Sequence, residues 1–463
     1  MAMMKGNSAA VFNSNDIYPV SADTELPFEQ HRDIFYLSGI DQEETILILF
    51  PNAKDKLWRE ILFIRKSDEH TKIWEGEKLS RAQAKKISGI ENIIWVDDFK
   101  DIFHKITTEC NRFYFNKNEH YRAKIVVETR EDRFIKWVEK EYPSHPISRS
   151  NPILQRLRSI KDNEEIDRIQ HACNITMKGF ERVLKYIKPG VWEFEIEAEL
   201  IHEFINNSSK GFAYSPIIAS GNDNNILHYT KNNKQCINGD LILMDVAAEY
   251  ANYKSDMTRT VPINGKFTQR QLTIYNAVLN VKNEATKILR PGTTINQYHK
   301  EVQKIMESEL ISIGLLDKND VKKQDKNNPL SLKYFMHGTS HHLGLDVHDV
   351  GNFDCNINIG NVFTVEPGIY IKEENIGVRL EAFDIAVKNG KAVTVGWFMS
   401  HHKIYAAKWI DKARTTIHKA GDAEPYEVMV VDNKTYIAGW AGANFSGMPN
   451  WRAAIWEGNS AKT

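Results

Sequence analysis

Apolar residues recur every three or four positions at Ile166, Ile169, Cys173, Met177, Phe180, Leu184 and Ile187. That spacing places them on one face of an amphipathic helix. The pattern stops at Lys188-Pro189-Gly190, where proline withholds a backbone donor and glycine accepts the left-handed turn that ends a helix. A second helix is predicted over 193–205. The same phrase then returns. Leu272, Tyr275, Val278, Leu279 and Ala285 build a helix that stops at Arg290-Pro291-Gly292, and another is predicted over 295–311. Pro189 and Pro291 stand 102 residues apart, a weak internal duplication. Each helix pair precedes hairpin-like strands that carry acidic residues. Two related halves facing each other are a natural way to converge ligands on one site.

The first 150 residues follow a different pattern. Strand-like runs at 44–50, 57–64 and 92–96 alternate with helical patterns at 80–87 and 98–108, which predicts an α/β domain with a mostly parallel or mixed sheet. Pro143-Ser-His-Pro146 and Ser150-Asn-Pro152 break the pattern and read as a linker. From about Gly396 the composition shifts: Trp397, Trp409, Trp440, Trp451 and Trp456 are half of the ten tryptophans. Strands are predicted at 427–431 and 435–440, and no role is assigned to this tail. At 463 residues the chain is too long for one core. The expected organisation is a domain over 1–150, a second over 154–395 and a tail over 396–463. The fold class is α/β (α+β).

Charge narrows the partners. The formal net charge is −1 with 26% charged residues, so no basic excess points to nucleic acid. No apolar run approaches the ~18 residues that span a bilayer, and residues 1–16 carry no signal-peptide pattern. Cys110, Cys173, Cys236 and Cys355 lie far apart and form no C-x-x-C pair, which suits free thiols in a reducing compartment. A soluble cytoplasmic protein is expected.

The candidate chemistry centres on 240–260. Asp245 follows the apolar run 241–244, which reads as a buried strand. Asp256 sits in a second β-rich run, 253–261. A reversal near Tyr250-Ala251 sets the two aspartates opposite each other on one face. Neighbouring carboxylates share a buried face only with positive charge between them. The bland alternative is that Asp245 ends a strand and Asp256 faces solvent. Three further segments add ligand-type residues: His337-Gly-Thr-Ser-His341 with His348 beyond it, Thr364-Val-Glu366-Pro-Gly and Gly377-Val-Arg379-Leu-Glu381. A lone histidine is usually structural, but four within twelve residues interleaved with glycine make a stronger signal. The bland reading of Glu366 and Glu381 is edge-strand carboxylates, with Arg379 paired to one of them. Together Asp245, Asp256, His341, Glu366 and Glu381 offer four carboxylates and one imidazole. That set suits two divalent ions, with manganese, cobalt or zinc all compatible. A dinuclear pair about 3.5–4 Å apart can share a bridging hydroxide and hydrolyse an amide or ester.

The order Asp, Asp, His, Glu, Glu in these motifs resembles the pita-bread metallopeptidases over about 155–390. Within that family it is most similar to the aminopeptidase P (Xaa-Pro aminopeptidase) group. Phe35-Tyr-Leu-Ser-Gly39, Trp74 in Ile-Trp-Glu-Gly and Ser340 before His341 carry that finer likeness. The resemblance implies an N-terminal domain followed by a pita-bread catalytic domain with pseudo-two-fold duplication. It implies removal of the N-terminal residue from peptides with proline second, two metal ions (Mn²⁺ first, Zn²⁺ or Co²⁺ as alternatives) and a homo-oligomer, dimer or tetramer, reached through Trp74. Glu366 is then the general base, with His348, His337 and His228 as accessory histidines. Arg379 is expected to orient Glu381, and a core position is the bland reading of Trp74. Two stretches depart from the family pattern: Ala382-Phe383 follows Glu381, and the tail after about 396 is unlike the family ending. A prolidase, a creatinase-like enzyme without the metal set, and a binding module that lost catalysis are the alternatives.

Overall fold

The computed structural model describes residues 1–381, apart from 118, 120–125 and 353, together with the backbone of strands between 386 and 462. The chain divides into two compact units, Met1–Arg158 and Ser159–Thr463.

The first unit is built on a six-stranded mixed sheet. Its order is Asn92–Trp95, Glu60–Ile64, Ile46–Leu49, Ser8–Asn13, Arg112–Phe115 and Ile147–Arg149. The two pairings around Ile46–Leu49 are antiparallel and the other three parallel. Side chains alternate between two buried faces, as strand geometry requires. Val11, Ile48, Phe63 and Phe113 join one core, and Phe12, Leu47, Leu62 and Tyr114 join the other. Ile147–Arg149, inside the segment expected to be a linker, is an edge strand of this sheet. Pro146 stands just before it and lends only its carbonyl, which accepts from the Phe113 backbone N–H at 3.1 Å. The helix Asn151–Arg158 follows.

In the second unit the duplication is structural. Helices Asn163–Tyr186 and Glu193–Asn206 form the first pair, Gln269–Ile288 and Ile295–Ser312 the second. Gly190 and Gly292 close the leading helices at φ 94° and 92°, values that favour glycine. Beyond each turn the same backbone clasp forms. The Gly190 N–H donates to Cys236 O at 2.9 Å and the Cys236 N–H to Val191 O at 2.8 Å. Gly292 and Ile357 repeat this at 3.2 Å, and Ile357 and Thr293 at 2.8 Å. Cys236 and Ile357 lie 121 residues apart, as do Asp245 and Glu366. The repeat therefore places an acid at the same position in each half.

Each helix pair packs on its own strands. Ile175, Leu200 and Phe204 meet Ile218, Ile242 and Met244, whereas Val278, Val281 and Val302 meet Val365, Ile369 and Val378. Strand Leu241–Asp245 lies between Ile217–Ser220 and Thr258–Pro262, antiparallel to both. The hairpin of Gly368–Ile371 and Ile376–Arg379 joins this sheet through Thr260, whose hydroxyl accepts from the Arg379 N–H at 3.1 Å.

The register corrects one expectation. The reversal falls at Ala251-Asn252, both at positive φ (49° and 68°), as a tight two-residue hairpin turn demands. That is one residue later than expected, and a one-residue delay moves the pairing by two. Asp245 therefore stands opposite Thr258 rather than Asp256. Beyond 381, the predicted strands fall within Asp422–Val431 and Lys434–Gly442, which pair antiparallel. Trp451, Ala382 and Phe383 lie outside the described residues, as do the side chains of the other four tail tryptophans.

A Cβ on Gly179 would lie 2.6 Å from Phe204 Cε1 and 3.1 Å from Leu200 Cδ2, both fully buried across the helix pair. Gly179→Val is expected to destabilise the protein by about 1–3 kcal/mol through overpacking. Urea denaturation checks this, and an unchanged midpoint contradicts the packing described.

Candidate metal centre

Local structure delivers the five predicted ligands to one place. Asp245 ends its strand, Asp256 lies between the tight hairpin and Thr258–Pro262, and Glu366 and Glu381 flank the second-half hairpin. Asp245, Asp256 and Glu381 each bring a carboxylate oxygen within 4.8 Å of the others. His341 closes the group, its Nε2 at 3.3 Å from Asp256 Oδ2 and 3.2 Å from Glu366 Oε1. Its Nδ1 faces the His342 carbonyl at 2.9 Å, which fixes Nδ1 as the donor and aims Nε2 at the carboxylates.

The electrostatics follow from burial. Glu381 is 2% exposed, and both its oxygens lack a hydrogen-bond partner. Burial, then repulsion from Asp256, Glu366 and Asp245, pushes its carboxyl well above the usual range. Burial also raises Asp245, which Arg379 partly offsets, leaving it at about 6. Burial opposes charge on His341, but hydrogen bonds to Asp256 and Glu366 win and push it up to about 10. The same contact outweighs burial at Glu366 and draws it down to about 2. A proton on His341 Nε2 stands where a cation bound by the neighbouring carboxylates would sit.

These residues fit divalent metal. Two buried, unpartnered carboxylate oxygens among three other carboxylates are costly unless a cation meets them. Hard oxygen donors with one imidazole are the donor set for such ions.

A surrounding ring of residues holds the cluster. Arg379, 5% exposed, pairs with Asp245 and not with Glu381 two residues on. Its expected orienting role is thus directed past Thr258 to the strand that ends in Asp245. Its Nε also donates to Thr258 Oγ1 at 3.3 Å. The single Tyr214 hydroxyl faces both Asp245 and Asp256, the latter at 2.7 Å, so its one proton is shared between them. Sequence reasoning missed Tyr214, because nothing in its segment shows that a tyrosine 31 residues before Asp245 turns back to it. It also missed Tyr370, whose hydroxyl is 2.9 Å from His337 Nε2 and accepts from Arg379 at 3.4 Å. The His348 ring stands perpendicular to that of His341, centroids 4.3 Å apart. His228 is exposed on the wall of an open cavity of about 580 Å³ that Trp192, Ile226 and Tyr229 also line. Trp74, in the first unit, is 76% exposed at the end of helix Glu69–Trp74, so the core reading is overturned.

A buried carboxylate–imidazole cluster of this composition has the donor set of a metal-dependent hydrolase. Residues 167–389 match the profile of metallopeptidase family M24, and residues 1–114 that of the aminopeptidase P N-terminal domain. The chain is 32% identical to the Xaa-Pro aminopeptidase of Escherichia coli over 404 residues, covering 84% of this chain and 90% of that one. It is 29% identical to human Xaa-Pro aminopeptidase 3 over 391 residues, 81% and 75% of the two chains. The structure of E. coli aminopeptidase P with the inhibitor Pro-Leu superposes with TM-score 0.74 at 31% identity, covering 85% of this chain and 89% of that one. The chain belongs to metallopeptidase family M24, among its aminopeptidase P members, and is a metallo-exopeptidase.

The shifts predict a pH signature for the metal-free protein. A folded-state pKa raised from 6.5 to about 10 at His341 adds stability that is full below pH 6.5 and is lost as pH rises through about 10. The thermal midpoint of chelated protein should therefore fall from pH 6.5 to 9. Metal-supplied protein should not follow, because Nε2 is then a ligand rather than a proton acceptor. Parallel pH slopes with and without metal would contradict the site.

Proposed function

We propose that this protein removes the N-terminal residue from peptides with proline second, using Asp245, Asp256, His341, Glu366 and Glu381 to hold two divalent ions. Manganese is the first choice, with zinc or cobalt as alternatives. The observation that carries the reading is the pair of buried, unpartnered Glu381 oxygens amid three further carboxylates and His341. Divalent ions held by these residues would supply Lewis acidity and lower the pKa of bound water. Glu366 takes a proton from the attacking water and passes it to the leaving amine. Without metal the contact with His341 holds its carboxylate well below the ordinary range; with metal the cations themselves would favour its ionised form. His348 offers an N–H donor to the oxygen that gains charge, as preorganised donors do, whereas His337 gives its Nδ1–H to Gly338 O at 2.8 Å and faces Tyr370 through Nε2. The Xaa-Pro amide has no N–H, so the proline pocket reads ring shape rather than a donor.

Arg379 argues against a prolidase. A dipeptidase needs a free cation for the proline carboxylate, but this guanidinium is buried and committed to Asp245, Thr258 and Tyr370. Residues 1–150 are read as the N-terminal aminopeptidase-P-type domain, 154–395 as the catalytic domain and 396–463 as a tail without assigned role. Four free cysteines fit a reducing, cytoplasmic setting, and no described helix is long and apolar enough to cross a membrane. Neighbouring Ile73 and Trp74, 77% and 76% exposed, support a homo-oligomer through that edge.

Three measurements test the reading. Xaa-Pro-Yaa peptides should be cut after chelation only when Mn²⁺ is restored, with higher kcat/KM than the matching Xaa-Pro dipeptide. Hydrolysis of the dipeptide alone means a prolidase. Glu366→Gln should lower kcat by about 10²- to 10⁴-fold, and near-normal turnover removes Glu366 as the base. Trp74→Ala should shift sedimentation toward smaller species, and an unchanged profile rules out that contact.

A further inference from the structure

Residues 343–349 carry the chain from ligand His341 to His348 without regular secondary structure. Four backbone hydrogen bonds outline the loop. The Asp349 N–H donates to His342 O at 2.9 Å, Leu343 to Val362 O at 3.1 Å, Gly344 to Asp346 O at 3.1 Å, and Lys254 to Gly344 O at 2.8 Å. Beneath it lies a buried ion pair, Lys161 Nζ to Asp349 Oδ2 at 2.8 Å, each side chain 1% exposed. Lys161 is itself anchored, its backbone N–H donating to Gly360 O at 2.7 Å. The fit around the pair is tight. A Cβ on Gly344 would lie 2.2 Å from Asp349 Oδ2 and 2.8 Å from Lys161 Cε. A Cβ on Gly351 would lie 2.0 Å from the His342 ring, which packs on Phe363 at 4.3 Å.

Burying two charges costs desolvation that their attraction only partly offsets, and apolar residues of similar volume often stabilise a fold as well or better. Stability alone is thus a poor reason for Lys161 and Asp349 to face each other here. What the pair does fix is a place: Asp349 is bonded to His348, and His348 stands against His341. We propose that Lys161–Asp349 is a positioning pair that locks the 343–349 loop so that the His348 N–H is presented to the reacting carbonyl. The proposal rests on the reading of His348 given above. Neither residue belongs to the candidate ligand set, and their place beside His348 makes them positioning residues that act through it.

The test uses the full-length, metal-loaded enzyme. Lys161→Met alone strands a buried carboxylate and can fail to fold, so the double variant Lys161→Met/Asp349→Leu, which removes both charges, carries the test. It should unfold cooperatively and keep wild-type metal content. Its kcat on an Xaa-Pro-Yaa peptide should fall about 10- to 100-fold with little change in KM, the scale of a small misplacement of a reacting group. Adding His348→Ala should cost much less in this background than in the wild type, because residues acting through one another are not additive. Undiminished kcat, or an equal His348→Ala loss in both backgrounds, overturns the proposal. Should the wild type itself prove inactive on Xaa-Pro peptides, the activity reading fails separately. Amide exchange across 343–349 then decides the pair: a rise of about tenfold or more confined to that loop is expected, and unchanged exchange refutes it.

Discussion

Four carboxylates brought together under cover of the fold repel one another, and the second unit depends on how that repulsion is met. Around Asp245 and Asp256 the protein supplies its own counterweights: the Arg379 guanidinium and the Tyr214 hydroxyl. Between Asp256 and Glu366 it supplies His341. For Glu381 it supplies only the more distant charge of Arg259, and both carboxylate oxygens are left without a hydrogen bond in a buried position. This asymmetry separates a metal centre from a structural ion-pair network. Buried ion pairs elsewhere leave one atom unmatched, as at Glu249 Oε1 and Arg158 Nε, whereas Glu381 has neither oxygen met, as a site awaiting a cation would.

Precision in that arrangement comes from rigid elements. Every candidate ligand except His341 lies at or within two residues of a strand end. The strands are held by two helix pairs with a repeated backbone clasp at Gly190–Cys236 and Gly292–Ile357. The duplication gives each half an acid at the same place, Asp245 in one and Glu366 in the other. The elements after them then diverge. The first half turns through a two-residue hairpin to reach Asp256, and the second turns through Gly368–Ile371 and Ile376–Arg379 to reach Glu381. His341 lies on an irregular, glycine-containing segment. The fold therefore spends more anchoring contacts there, of which the Lys161–Asp349 pair is the most buried.

The ligand residue types, their order and their strand-end settings were legible in the chain. Alternation and helical period are local properties, and an acid placed after an apolar run is visible without coordinates. The helix pairs fell within a few residues of their predicted bounds for the same reason, with Pro189 and Pro291 marking their ends. The mixed sheet of the first unit was legible only as a class. Whether neighbouring strands run parallel depends on contacts between residues far apart in sequence, such as Ser8 with Arg112.

Tertiary structure decided what depends on distance between remote residues. It moved the partner of Asp245 to Thr258, because turn geometry at Ala251-Asn252 sets register and a single residue shifts every pairing. It gave Arg379 to Asp245 rather than Glu381, because a long side chain reaches across neighbouring strands as easily as along its own. It brought in Tyr214 and Tyr370, whose local sequence carries no mark of the cluster they serve. It also turned Trp74 outward, although an apolar ring in a short amphipathic segment fits a core equally well. The sequence by itself determined which groups were available for chemistry, since residue type and local period are written into it. Which of those groups meet, and which are left unsatisfied to receive an ion, was settled only when the chain closed on itself.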